Sequence, residues 1–393
     1  MKLLTIFNNK GGVGKTTLLY HLACALTELG KKVLLIDLDS QCNLTLYGID
    51  VENLHEIWKS EDVFFDEGYE YGKNTMSTEE FKKFIKRPHT IHFMLKPTED
   101  GTGEAEEMPE PISLAKNLDM IPGRLTLYLY ENKIASRWND VYAGDSLAIK
   151  TITRIRQIAK QYAEKKGYDY VLLDTSPSLG ALNKTIIMSA DGFIIPALPD
   201  MFSLYGIRNI GKSLTVWKKE LDTIFALISD EKRKLFPKEP VQFLGYTIYN
   251  AKRGKSKNTD TWGLAQAHYN YAMQIPDAII ENISRELRCT NSEINSTVCC
   301  RISISLINQS LDHTDHSVDF LCCLRISCCR LHIHAVHIFS AFSNIALGNL
   351  LRTYTFFDSL LNNLVINVCK VGYKIHFVAF VFHISAYGIT WII

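Results

Sequence analysis

Residues 7 to 30 read FNNKGGVGKTTLLYHLACALTELG and hold two lysines where one suffices to grip a nucleotide. A phosphate-binding loop of the form G-x-x-x-x-G-K-[ST] needs Lys15; Lys10 stands in addition at the opening of the loop. In such a loop, backbone N–H groups close around phosphate oxygens and the following helix adds its positive N-terminal end. Lys15 is then expected to reach the β- and γ-phosphates and Thr16 to ligate Mg²⁺. Gly11, Gly12, Val13, Gly14 and Thr17 supply the remaining loop contacts. Mg²⁺ takes oxygen ligands octahedrally and keeps several waters, so the protein need add only a hydroxyl and one or two carboxylates. Asp37 and Asp39, ending VLLIDLD, and Asp174, ending YVLLD, are the candidates. A single acid at a strand end is commonly just solvated. Three at the ends of two apolar strands in one sheet make Mg²⁺ ligation beside the loop the stronger reading.

The elements that must position these residues are legible around them. KLLTIFN is a short apolar run entering the glycine turn. After it, Leu18, Leu19, Leu22, Leu26 and Leu29 fall at helical spacing and Gly30 stops the helix. KKVLLIDLD is a continuous apolar run, as in a parallel strand buried on both faces. NLDMIP, YDYVLLD, GFIIPAL (192–198) and VQFLGYTIYN (241–250) read as further strands. DSLAIKTITRIRQIAKQYAEKKG (145–167) has a capping acid or serine, a 3.6-residue apolar stripe and a terminal glycine. The expected fold is α/β: a mostly parallel central sheet with helices on both faces and its ligand beyond the carboxyl ends of the strands. Residues 50–115 carry many charges and end in EDGTGEAEEMPEP, with six acids and no base, which reads as an irregular, solvated insertion.

Taken in order, KGGVGKTT, VLLIDLDSQCNLT, NLDMIPGRLTLYLYE, YDYVLLDTSPSLG and PALPDMFSLYGI resemble the ParA/MinD family of P-loop ATPases with the deviant Walker A motif, over residues 1–288. The resemblance implies that Lys10 is the signature lysine, reaching across a dimer interface to the partner's nucleotide much as an arginine finger does. It further implies that Asp39 positions the attacking water, that Asp37 lies near Mg²⁺, that Asp174 is the Walker B acid and that Asn250 contacts adenine. Expected partners are a second copy on ATP binding, non-specific DNA and a ParB-like activator. The function implied is partition or positioning of plasmid or chromosomal DNA, with a MinD-like membrane-positioning ATPase as the alternative. Ser40 and Cys42 replace the family's proline and glycine in DLDSQCN, and Ser176 stands where a second proline is common.

A net charge of +1 excludes a protein that coats nucleic acid by overall basicity, so DNA contact must come from a local patch such as AKRGKSKN (251–258). The N-terminus lacks a charged segment, a long apolar stretch and a small-residue cleavage site in succession. A cytoplasmic location is the expectation, and the family resemblance allows association with the nucleoid. No cysteine falls between residues 43 and 288, which argues against an iron–sulfur reductase. Residues 289–393 are different in kind, with eight of the ten cysteines and seven of the twelve histidines but only five acids and six Lys or Arg. Three readings of this tail stand: a zinc site on Cys322, Cys323, Cys328, Cys329, His332 and His334; a membrane hairpin from 331–351 and 375–393; or an out-of-frame translation beginning near residue 288. Adjacent Cys-Cys pairs lack zinc-ribbon spacing, and histidine, serine and asparagine interrupt the apolar runs. The third reading is the one favoured.

Overall fold

The computed structural model describes residues 1–105, 107–249 and 266–289, together with the backbone of strands at 301–306, 322–326, 381–385 and 388–392. The strands are β1 Lys2–Ile6, β2 Val33–Asp37, β3 Ile112–Ala115, β4 Leu118–Ile121, β5 Tyr170–Asp174, β6 Gly192–Ala197 and β7 Gln242–Ile248. The helices among them are α1 Lys15–Glu28, α2 Asn43–Gly48, α3 Val51–Asp66, α4 Tyr69–Asn74, α5 Thr78–Ile85, α6 Ile91–Asp100, α7 Tyr128–Tyr142, α8 Ser146–Lys166, α9 Ala181–Ser189, α10 Met201–Leu227, α11 Asp230–Arg233 and α12 Gln266–Asn282.

The seven strands lie in the order β7-β6-β1-β5-β2-β4-β3, and every neighbouring pair is parallel except β3 with β4. The unbroken apolar runs of β2 and β6 are buried at every residue. That pattern belongs to strands covered on both faces, and two hydrophobic clusters supply the cover. α8 begins and ends where its sequence says. Asp145 accepts the Ala148 N–H at 2.7 Å, and Gly167 closes the helix in the left-handed region.

The expectation of an irregular insertion over 50–115 is corrected. Residues 51–100 form α3 to α6, with side-chain caps at Asp50, Ser77 and Thr90. Their aromatic side chains pack together: the Phe64 ring lies 5.0 Å from Phe93 and 5.4 Å from Phe84, and all three are buried in the same core cluster as α8. Among the described acids that end the segment, Glu99, Glu104 and Glu110 are paired. Glu99 pairs with His92 and Lys96, while Glu104 and Glu110 meet Lys150, Arg154, Lys165 and Lys166 of α8. The last three of these helices, of 6, 8 and 10 residues, are too short to display a long apolar period, and Arg154, which pairs with Glu104, stands 50 residues away in sequence.

By contact the chain divides into two units, Met1–Cys289 with Cys299–Leu324, and Thr290–Val298 with Arg325–Ile393. In the first, β8 (Arg301–Leu306) runs parallel to β7 with Tyr246 opposite Arg301. β9 spans Cys322–Ile326. In the second, β10 (Val381–Ser385) and β11 (Gly388–Ile392) form an antiparallel hairpin. This part of the tail is therefore strand rather than membrane-spanning helix, and no helix of the described residues is long and apolar enough to cross a membrane. Stretch 331–351 and residues Cys328, Cys329, His332 and His334 lie outside the described residues.

Candidate active site

β1 delivers the chain to the carboxyl edge of the sheet, where Asn8 fixes the start of the loop. Its buried side chain donates to the Pro196 carbonyl at 2.7 Å and accepts the Lys10 N–H at 3.0 Å, tying the loop to the end of β6. Gly14 closes the loop with φ +80°, where a side chain is strained, and a Cβ there would stand 2.8 Å from the Tyr249 ring. The buried Val13 side chain anchors the turn from within. Leu18 N–H bonds to the Gly14 carbonyl at 2.9 Å, so the N–H groups of Lys15, Thr16 and Thr17 precede the first bond within α1.

Lys15 is buried, with its ammonium 3.3 Å from the Lys10 carbonyl. Burial pulls its pKa down, while the carboxylates of Asp174 and Asp39 push it back up. A phosphate would give this desolvated cation its missing counter-charge. Thr16 donates to Asp174 Oδ2 at 2.8 Å.

The acids come together through strand register. β2 and β5 are parallel neighbours with Asp37 opposite Asp174, both fully buried. Both oxygens of Asp37 are engaged: Oδ2 accepts from the Thr45 N–H at 2.8 Å and hydroxyl at 2.6 Å, and Oδ1 accepts the Asp39 N–H at 3.1 Å. Asp39 in turn accepts the Gln41 N–H at 3.0 Å and stands at the start of the turn into α2. Asp174 differs, because its Oδ1 is buried with no hydrogen-bond partner. Burial, and then the Asp37 carboxylate, push Asp174 up to about 8, and burial pushes Asp37 up to about 6.

This donor set fits Mg²⁺. One orphaned carboxylate oxygen on Asp174 and the Thr16 hydroxyl bonded to its other oxygen match the few protein oxygens that a hydrated Mg²⁺ needs. Among the described residues no group of three or more His, Cys, Asp or Glu forms a closed metal cage. Asp37 reads as the residue that anchors the Asp39 turn, since its own oxygens are engaged.

Lys10 is held within its own chain. Its ammonium pairs with Asp200, the N-cap of α10, and lies 5.3 Å from the centre of the Phe202 ring. Asn250 and the basic loop 251–258 lie outside the described residues.

Four contributors were not legible as such in the sequence: Asn8, Thr45, Asp200 and Arg124. The Thr45 hydroxyl accepts the Gly123 N–H at 2.8 Å, and the Gly123 carbonyl accepts Trp58 Nε1 at 3.0 Å, so α3 braces the Asp37 loop. Arg124, beside Gly123, donates to the Trp58 carbonyl at 2.8 Å, pairs with Glu61 and Asp62, and lies 4.4 Å over the Phe65 ring. The signals available were the doubled asparagine at 8 and 9 and the acid before α10, both common enough to pass as a turn and a cap.

A family model described as "AAA domain" matches residues 1–227. An uncharacterized protein of Methanocaldococcus jannaschii is 29% identical over 53% of this chain and 63% of its own length. The sporulation initiation inhibitor protein Soj of Bacillus subtilis is 26% identical over 56% of this chain and 68% of its own. The virulence plasmid ParA family protein pGP5-D of Chlamydia psittaci is 25% identical over 65% and 80%. The match thus spans about two thirds of the first two relatives, and just under that for the M. jannaschii protein. A crystal structure of a Corynebacterium diphtheriae protein shares the fold, with TM-score 0.54 and 24% identity over 72% of this chain and 89% of that one. With its phosphate loop, its paired strand-end acids and the family match over more than half its length, the chain belongs to the ParA/MinD family of P-loop ATPases.

Proposed function

We propose that the protein is an Mg²⁺-dependent ATPase that works as a dimeric switch, closing on ATP and reopening on hydrolysis, in the partition or positioning of DNA. The observation that carries this reading is the convergence of Lys15, Thr16, Asp39 and Asp174 at one edge of the sheet, with Lys10 standing at the loop's outer side. Thr16 and Asp174 would hold Mg²⁺, which would supply neutralisation of the phosphate charge. Lys15 binds the phosphates, Asp39 orients water, and Lys10, released from Asp200, reaches the nucleotide of a second copy.

The rim of the site supports a second copy. Leu125, Tyr128, Leu179, Met201, Phe202 and Tyr205 follow β4, β5 and β6 at the same sheet edge and are all exposed. Large apolar groups so placed suit a surface that another molecule covers. Similarity to a relative named as a virulence plasmid ParA family protein favours DNA partition as the setting.

The reading is tested by Mg²⁺-dependent ATP turnover and sedimentation of wild type, Lys10→Ala, Lys15→Ala and Asp39→Ala, with and without duplex DNA and with anionic vesicles. Lys15→Ala is expected to lose nucleotide binding. Lys10→Ala keeps binding but loses turnover and ATP-dependent dimers, and Asp39→Ala accumulates an ATP-bound dimer. Salt-sensitive stimulation by DNA supports partition. Stimulation by vesicles alone, or wild-type turnover in Lys10→Ala, overturns the proposal.

A further inference from the structure

The phosphate loop has a neighbour that the acids and lysines do not account for. Tyr47, in α2, places its phenol oxygen 3.1 Å from the Thr17 hydroxyl. Its ring stacks on Tyr20 of α1, with centroids 5.7 Å apart and planes 25° from parallel. Tyr47 is nevertheless 54% exposed, so the phenol is fixed in place and still open to solvent.

Its position is set from both sides. α2 starts at the turn that Asp37 and Asp39 hold through Thr45, Gln41 and Cys42. α1 carries Thr16 and Thr17 about 100° apart around its axis, so their side chains diverge. Thr16 turns to Asp174, the side on which the nucleotide-site reading puts the metal. Thr17 turns the other way and meets Tyr47. A polyphosphate whose outer end lies at Lys15 and Thr16 has its inner end beside Thr17, where the first-turn N–H groups of α1 also point.

Two hydroxyls that share one hydrogen bond use only one of their two O–H hydrogens on each other. The other remains available beside a cluster of N–H donors that needs an anion. We propose that the Tyr47 phenol, acting with Thr17, binds the α-phosphate end of the nucleotide, so that α2 grips the same ligand as the phosphate loop. The ligand class is a nucleoside di- or triphosphate, and the inference rests on the nucleotide-site reading above. It also gives α2, which carries the exposed Leu46 and Tyr47 side chains, a direct mechanical tie to site occupancy.

The test measures dissociation constants for Mg²⁺-ADP and for Mg²⁺ with a non-hydrolysable ATP analogue, using the full chain as wild type, Tyr47→Phe, Tyr47→Ala and Lys15→Ala. Tyr47→Phe keeps the ring stack and removes only the hydroxyl. It is expected to weaken both nucleotides by the same factor, about ten- to a hundredfold, as loss of a hydrogen bond to a charged group does. Tyr47→Ala weakens them at least as much. Wild-type affinity in Tyr47→Phe alongside lost binding in Lys15→Ala overturns this inference alone. A loss confined to the triphosphate also overturns it, because it would put the phenol at the γ end. Wild-type binding by Lys15→Ala would remove the nucleotide-site reading and this inference with it.

Discussion

Lys10 is bound in its own chain by Asp200, and Asp200 at the same time caps α10 by accepting the Ser203 N–H at 2.9 Å. One carboxylate therefore holds a helix and restrains the lysine that the dimeric reading sends to a partner. Desolvation, the largest single effect, pushes the Asp200 pKa up, but the hydrogen bond and charge of Lys10 and the hydrogen bonds from Ser203 together outweigh it and draw the pKa down.

The two duties can be separated. Asparagine caps a helix about as well as aspartate but cannot hold the ammonium by charge. Asp200→Asn is expected to leave the urea midpoint nearly unchanged, to raise basal ATP turnover and to shift the dimer equilibrium toward association. Asp200→Ala should lose about 1 kcal/mol of stability as well. Turnover that falls in Asp200→Asn would show that the pair is needed in the active state instead.

Asp174 and Asp37 give a pH dependence with a definite sign. Both folded-state pKa values lie above the ordinary carboxylate value, so the folded chain holds these protons more tightly than the unfolded chain does. The stability from this source is complete below about pH 4 and is lost as pH rises through about 6 and about 8. Asp174→Asn removes the larger effect. At about pH 8 without nucleotide or metal it should melt higher than wild type, by roughly 3 °C or more, and the gap should close toward about pH 5. Mg²⁺ should raise the melting temperature of wild type but not of Asp174→Asn. A parallel pH profile in the two proteins, followed by calorimetry, would refute the assignment.

Gly123 is tightly enclosed: a Cβ there would lie 3.1 Å from both Asp37 Cγ and Cys42 Sγ, so these neighbours would have to give by a few tenths of an ångström. Gly123→Ala is expected to cost about 1–3 kcal/mol and to slow turnover by displacing the Asp37 loop. Cys42 sits at φ +56°, a conformation that suits glycine. Cys42→Gly opens space and should recover part of the loss, so the double variant is less damaged than the sum of the singles. Strict additivity in urea unfolding would count against the clash.

Glu61 is buried and accepts from His89 Nδ1 at 3.1 Å, from the Thr90 N–H and hydroxyl at 2.8 Å each, and from Arg124 at 3.4 Å. Glu61→Ala leaves those donors and the arginine short of a partner and is expected to cost about 3–5 kcal/mol. Because Arg124 adjoins Gly123, turnover should drop at temperatures where the variant is still folded. Full activity with only a stability loss would separate the helical segment from the site.

The chemistry of this protein was written largely in consecutive residues. KGGVGKTT, the uninterrupted strands VLLID and YVLLD, and the capped stripe of α8 are local patterns, so the α/β fold, the phosphate loop and the three acids could be read before any coordinates. Local strings carry such information because backbone conformation and strand burial are set by a residue and its near neighbours. What joins distant segments was decided only by packing. The register that sets Asp37 against Asp174, and the capture of Lys10 by Asp200 from 190 residues away, have no pattern in the chain. Residues 51–100 mislead for the same reason. The acids just beyond them, Glu104 and Glu110, look solvated until α8 supplies the counter-ions, and the segment's phenylalanines find one another only in the core, because an ion pair or a buried ring contact is defined by two positions that only the tertiary structure brings together.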